Sequence, residues 1–211
     1  MLCSFDAPTD IMPDISGDAE NGKAAQKRCA VSKDMVDAYC RENAVTQSSV
    51  FLASVFYTLS RFTASKDVLI STISSGRSDV KLNKLVGMFV HTIPLAMHFN
   101  KDMTANELIS ASADAMRSSV ANEDYPFAEL AAKYGYSTNI MYECQIGIID
   151  NGGDIGGEKY ETIPLSLETP KFNITFAVVE ENDSYVIYVR YNDELYSAEY
   201  MENLRNVLQL L

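Results

Sequence analysis

Two runs near the C-terminus, Phe172–Val179 and Tyr185–Tyr191, alternate apolar and polar side chains at a period of two. They flank the polar stretch Glu-Asn-Asp-Ser at 181–184, so the pattern predicts a β-hairpin. A lone hairpin is marginal in water and needs further strands or helices to cover its apolar face. The rest of the chain offers both. Val68–Ile73 is a short β-branched run that predicts a central strand. Phe89–Phe99 reads as a longer extended stretch, and Pro94 within it points to an edge or a bulge. Met141–Ile149 predicts a further strand.

Helical patterns alternate with these strands. Ser32 is placed to cap a helix running to Arg41. After Thr46, the apolar positions Val50, Phe51, Val55, Leu59 and Phe62 cover more than one face, as a buried helix requires. Thr104-Ala-Asn-Glu107 is a capping box, in which hydroxyl and carboxylate satisfy each other's orphan amides, and it opens a helix to about Asn122. Pro126 falls in the first turn of a shorter helix, with Asp124 as its expected N-cap. Ser197 caps a closing amphipathic helix. Strands alternating with helices, together with one antiparallel pair, define an α/β class: a two-layer sandwich on a mixed sheet.

The first thirty residues differ. Asp6–Asn21 carries Pro8, Pro13, Gly17 and several aspartates without apolar periodicity, so residues 1–30 read as an extended linker and 31–211 as the folded unit. A chain that starts this way reads as part of something longer. Its 17 basic and 29 acidic side chains give a net charge of −12, which repels phosphate backbones and anionic membrane surfaces and excludes nucleic acid as a general partner. No apolar run spans a bilayer and no signal sequence is visible, so a cytoplasmic location is expected. Cys3, Cys29, Cys40 and Cys144 are scattered, with the spacing of neither a metal site nor a disulfide framework.

Chemistry is sparse. His91 and His98, seven positions apart on an extended segment, point to opposite faces and cannot act as a pair. His91 is expected to be buried and hydrogen-bonded. His98 and Asp102 form an H-x-x-x-D, the spacing of a general base with an orienting acid. No glycine follows Asp102, which reads as a solvated residue ahead of the Thr104 cap. The glycine-rich stretch Gly152–Gly157 lacks the Lys-Ser/Thr ending of a phosphate loop and is expected to be flexible. The sequence contains no complete active site.

Three segments in order resemble the second half of the condensation domain of nonribosomal peptide synthetases. Ser75-Gly76-Arg77 after VLISTIS resembles the family's strand followed by S/A-G-R. Val86-Gly87-Met88-Phe89-Val90-His91-Thr92 resembles V/I-G-x-F-V-N-T, and Asn122-Glu123-Asp124-Tyr125-Pro126-Phe127 resembles H-Q-D-Y-P-F. The helix after Thr46 and the closing hairpin fit as well. The resemblance implies the C-terminal subdomain of a chloramphenicol-acetyltransferase-like fold, in which two α/β halves enclose a tunnel. It implies amide formation between aminoacyl or peptidyl thioesters carried on phosphopantetheine, with peptidyl carrier and adenylation domains and an N-terminal half as partners. The family's H-H-x-x-x-D-G motif is absent from these 211 residues, so the chain alone is expected to be inactive, to bind no cofactor of its own, and to self-associate through the face its other half would cover. Gly76, Arg77, Gly87, Phe89, His91 and Thr92 become candidates for the tunnel and subdomain interface. Arg77 either bridges to the other half or pairs at the surface. Phe89, Tyr125 and Phe127 are expected to pack, Asp124 and Pro126 to shape the motif, and Gly152–Pro170 to form a lid. His91 for Asn, Ala96 where the family often has Arg, and Ala128 for Glu depart from the pattern. They leave the subtype open between a divergent condensation, an epimerisation or a stand-alone acyltransferase relative and one that has lost activity, the last being a non-catalytic module that docks carrier or neighbouring domains.

Overall fold

The computed structural model describes residues 5, 7–100, 102–137, 139–147, 152–161 and 168–209. Six strands form one mixed sheet: β1 (Ala24–Ser32), β2 (Asp67–Ser74), β3 (His91–His98), β4 (Ile140–Cys144), β7 (Ile174–Glu181) and β8 (Ser184–Asn192). Their spatial order is β1-β8-β7-β4-β2-β3. β2 and β4 run parallel, as do β4 and β7, and the remaining neighbours are antiparallel. Among the described residues five α-helices complete the unit: α1 (Lys33–Asn43), α2 (Gln47–Thr63), α3 (Ala105–Val120), α4 (Phe127–Tyr134) and α5 (Ala198–Gln209).

The period of two decides which side of the sheet the helices cover. Ile70, Leu95, Tyr142, Phe176, Val178, Ile187 and Val189 face one way and join buried residues of α1, α2, α3 and α5 in a single core. α2 lies deepest, with Leu52, Val55, Phe56 and Leu59 all shielded, as expected from its wide apolar surface. The tyrosine of β4 ties the layers together, since Tyr142 donates its hydroxyl to the Ser48 carbonyl at 3.0 Å. On the opposite face Leu69, Ala96 and Tyr136 form a smaller cluster with Phe127 of α4 packed against it. β7 reads as nearly continuous apolar sequence because it lies inside the sheet and is buried on both faces.

Local signals explain the helix starts. Thr104 and Glu107 make the complete capping box of α3. Thr46 accepts from the Ser49 amide at α2, and the Ser197 hydroxyl accepts from the Tyr200 amide at α5. β3 is an edge strand, consistent with Pro94, which has no amide to donate.

Four expectations need correction. The linker segment contains β1, which pairs with β8 along its whole length. Ahead of it, residues 7–23 have no regular secondary structure but are pinned: the Thr9 amide donates to the Leu69 carbonyl at 2.8 Å and Tyr196 to the Ile11 carbonyl at 2.9 Å, and Ile11 is buried. Prolines and aspartates signal the lack of helix or sheet there, but not the docking of single side chains. The glycine-rich stretch forms a hairpin, β5 (Gly152–Ile155) with β6 (Glu158–Glu161), its turn at Gly156–Gly157. β4 stops at Cys144, and residues 148–149 of the strand expected there lie outside the described residues. Asp124 does not cap α4. Pro126 occupies that position, while the Tyr125 amide donates to the Asn122 carbonyl and keeps Asp124 inside a preceding turn.

Candidate functional site at the β2–β3 connection

Antiparallel pairing sets Ser74 at the end of β2 opposite His91 at the start of β3. The intervening residues 75–90 hold the first of the three family-like motifs and most of the second, which ends at Thr92 in β3, and their shape follows from a few side chains. Gly76 adopts φ +61°, and a β-carbon there would lie 1.8 Å from the Phe89 carbonyl oxygen, so only glycine lets the chain return this closely. Arg77 then turns inward. Its guanidinium donates to the carbonyls of Leu82, of Leu85 at 3.0 Å and of Gly87 at 3.4 Å. It also lies 4.4 Å from the centre of the Phe89 ring, a cation–π arrangement. Asp79 accepts from the Lys81 amide at 2.8 Å and caps a short 3-10 helix, Val80–Lys84.

Folded in this way, the loop turns its apolar side chains to solvent. Val86 is fully exposed, Met88 is 88% exposed and Val80 80%, with Leu85 and Val90 about half exposed and Ile73 beside them. Exposed apolar patches mark surfaces that partners cover. Gly87 lies in this crest. Phe89, His91 and Thr92 are half-buried at its base.

The base itself is closed by a residue that the sequence did not single out. Glu123, at the turn between α3 and α4, is 4% exposed and is the one charged side chain among the buried residues described. Its carboxylate accepts from the Ser74 hydroxyl, and its carbonyl accepts from His91 Nδ1 at 2.6 Å. His91 therefore meets the expectation of a hydrogen-bonded imidazole, half-buried rather than fully enclosed. Within Asn-Glu-Asp, Glu123 looks like any solvated turn acid; only tertiary placement distinguishes it.

The remaining candidates are dispersed. His98 donates through Nδ1 to Asp67, its cross-strand partner, at 2.6 Å, and this pair is exposed at the edge of the sheet. Asp102 lies exposed before α3. Phe127 packs edge-on against Tyr136 with ring centres 5.4 Å apart, and Tyr136 donates to the Ile70 carbonyl at 2.7 Å. Burial pushes the Tyr136 phenol up to about 12, against the opposing pull of the Ser71 hydroxyl. Tyr125, expected to pack, is instead exposed and lines a cleft of about 340 Å³ with Pro94, Ala96 and Asn122. Of the Gly152–Pro170 segment, residues 162–167 lie outside the described residues.

Among the described residues no cluster of three or more His, Cys, Asp or Glu could hold a metal ion, and no helix is long and apolar enough to cross a membrane. Neither the 75–90 loop nor its base aligns a nucleophile, a base and an acid on one point. What the loop offers is an exposed apolar crest whose backbone carbonyls are held together by the Arg77 guanidinium.

A mixed six-stranded sheet with its helices mostly on one face is an α/β unit of the chloramphenicol-acetyltransferase-like kind. The chain belongs to the condensation domain family of nonribosomal peptide synthetases, whose Condensation domain model matches residues 6–211. It is 26% identical over 186 residues to bacitracin synthase 2 of Bacillus licheniformis, covering 83% of this chain and 7% of that protein. To gramicidin S synthase 2 of Brevibacillus brevis it is 26% identical over 212 residues, 95% of this chain and 5% of the relative. The chain thus spans a small fraction of these curated relatives. Among solved structures, a four-domain nonribosomal peptide synthetase, holo-AB3403 bound to AMP and glycine, superposes with a TM-score of 0.79 at 19% identity, over 97% of this chain and 18% of that one. The X-domain from teicoplanin biosynthesis superposes with a TM-score of 0.79 at 16% identity, over 98% of this chain and 51% of that one.

Proposed function

We propose that this chain is the C-terminal half of a condensation domain and that it helps to join two carrier-bound substrates. In that reaction the amine of one aminoacyl group attacks the thioester carbonyl of another aminoacyl or peptidyl group. A C–N bond forms, the C–S bond breaks, the amine loses a proton and the phosphopantetheine thiol leaves. Both thioesters must be held in near-attack geometry with water kept out. The general base would come from the H-H-x-x-x-D-G of an N-terminal half, a motif these 211 residues do not contain.

The observation that carries this assignment is the crest at 75–90. In a chain of this family, a loop fixed by Gly76 and Arg77 and crowned with solvent-facing Val80, Val86 and Met88 suits a surface that another half covers. Arg77 acts within this half by rigidifying the loop. Gly87, Phe89, His91 and Thr92 lie where the loop would form the floor of the shared tunnel. We assign the lid to the β5–β6 hairpin, the described part of the segment expected to form it. Carrier and adenylation domains are the partners this role requires.

In-frame coding DNA upstream of Met1 tests the assignment. An H-H-x-x-x-D-G there, with carrier or adenylation sequences nearby, is the expected result. A start codon with no such sequence before it would overturn the assembly-line role and favour a docking module.

A further inference from the structure

Glu123 has the environment of a residue selected for placement. Burying a carboxylate is costly unless hydrogen bonds compensate, yet Glu123 is enclosed at the α3–α4 turn, and its bonds run to both strands that frame the loop. The side chain holds Ser74, the last residue of β2, and the carbonyl holds His91, the first residue of β3. These two residues face each other across the sheet. One residue of the helical layer therefore grips both ends of the 75–90 crest where it leaves the sheet. The crest's internal bonds from Arg77 fix its shape, but no bond of Arg77 fixes its angle to the sheet.

We infer that Glu123 is a positioning residue: by holding Ser74 and His91 it sets the angle at which the crest meets the other half, and through it the geometry of amide formation. This inference rests on reading residues 75–90 as the surface that meets that half. Glu123 touches no reacting atom in this account and acts through the loop.

Hydrogen exchange on the whole chain tests the grip without any assay of activity. Glu123→Ala removes the acceptor for the Ser74 hydroxyl and is expected to speed exchange at amides of residues 74–79 and 87–92 by about tenfold, the loss of one half-buried bond to a carboxylate. β4 and β7 should exchange as before. Glu123→Gln keeps an oxygen for Ser74 and should restore slow exchange. Ser74→Ala removes the donor instead and, as the milder change, serves if Glu123→Ala fails to fold. Ser74→Ala also removes the acceptor of the Gly76 amide at 3.4 Å, so the two substitutions combined should match Ser74→Ala alone rather than add. In the complete two-half domain, Glu123→Ala should lower kcat about tenfold and Glu123→Gln should recover it. Unchanged exchange around the loop, equal acceleration in β4 and β7, or failure of glutamine to rescue would overturn the positioning role. A loosened loop with undiminished kcat would overturn it too. If the unsubstituted two-half domain forms no amide, the functional assignment falls with it, whereas the exchange data still decide whether Glu123 holds the loop.

Discussion

Replacing Gly76 with alanine tests how the β2–β3 connection is built, and the structure supplies its own control. At φ +61° an alanine must adopt the left-handed conformation, which costs about 1–2 kcal/mol for an L-residue. Its β-carbon would also lie 1.8 Å from the Phe89 carbonyl oxygen and 2.9 Å from that carbonyl carbon. These are backbone atoms, so the chain must move by more than an ångström against the bonds from Arg77 and the Ser74–His91 pair. The cheaper of two responses sets the cost, either shifting Phe89 or releasing the loop, for a total of roughly 2–4 kcal/mol. Gly135, which ends α4 at φ +63°, has no heavy atom within 4 Å of the same position. Gly135→Ala should therefore cost only the conformational part, about 1–2 kcal/mol. Urea unfolding followed by circular dichroism, with m unchanged, should separate the two. The corresponding Tm losses are roughly 4–16 °C for Gly76→Ala and about 2–8 °C for Gly135→Ala in a domain of this size, with Gly76→Ala the larger. Equal losses would refute the close return of the chain at Phe89.

Other consequences are as specific. Thr104→Ala should destabilise the chain by about 1 kcal/mol through loss of the α3 cap, measured by urea midpoint. The bonds from the Thr104 amide and hydroxyl hold the Glu107 carboxyl below its ordinary 4.5. Because its folded value is depressed, its contribution is present above 4.5 and lost as pH falls through the folded value; a Glu107→Gln variant with the same acid profile as the parent would contradict this. Tyr136→Phe removes the hydroxyl that donates to the Ile70 carbonyl and meets the Ser71 hydroxyl, and should cost about 1–3 kcal/mol. With the phenol raised to about 12 by burial, its stabilisation is complete below 10 and lost as pH rises through 12, so the variant should lose less stability on alkaline titration. Val86→Asp and Met88→Asp change solvent-facing side chains and should alter stability by no more than about 0.5 kcal/mol. They should suppress the concentration-dependent self-association expected in light scattering, and a strictly monomeric parent chain would contradict that expectation.

The elements were legible wherever a local signal sufficed. Thr46, Thr104 and Ser197 announce their helices through capping chemistry, and the hairpin of β7 and β8 follows from alternation, its first strand displaced by two residues. Pro94 marks an edge. β1 escaped because its neighbours Pro8, Pro13 and Gly17 suggest a linker and its own alternation is weak, with arginine and lysine among its residues. The β5–β6 hairpin has glycines where apolar alternation would normally show, leaving only Gly-Gly as a turn signal. The site was half legible. Gly76, Arg77 and Phe89 were found as a motif, but the inward turn of Arg77 depends on carbonyls up to ten residues away. The burial of Glu123 depends on a corner between two helices that no local pattern encodes. His98 and Asp102 share a familiar spacing, yet the sheet gives His98 to Asp67, because cross-strand register outranks proximity in sequence.

Amide formation from two aminoacyl-loaded carrier proteins decides whether this half works with another, with the chain assayed alone and then together with a polypeptide bearing H-H-x-x-x-D-G from the same gene. No product from the chain alone and product from the pair, reduced by Met88→Asp, is the predicted result. Turnover by residues 1–211 alone would contradict the claim that this half positions chemistry performed by another.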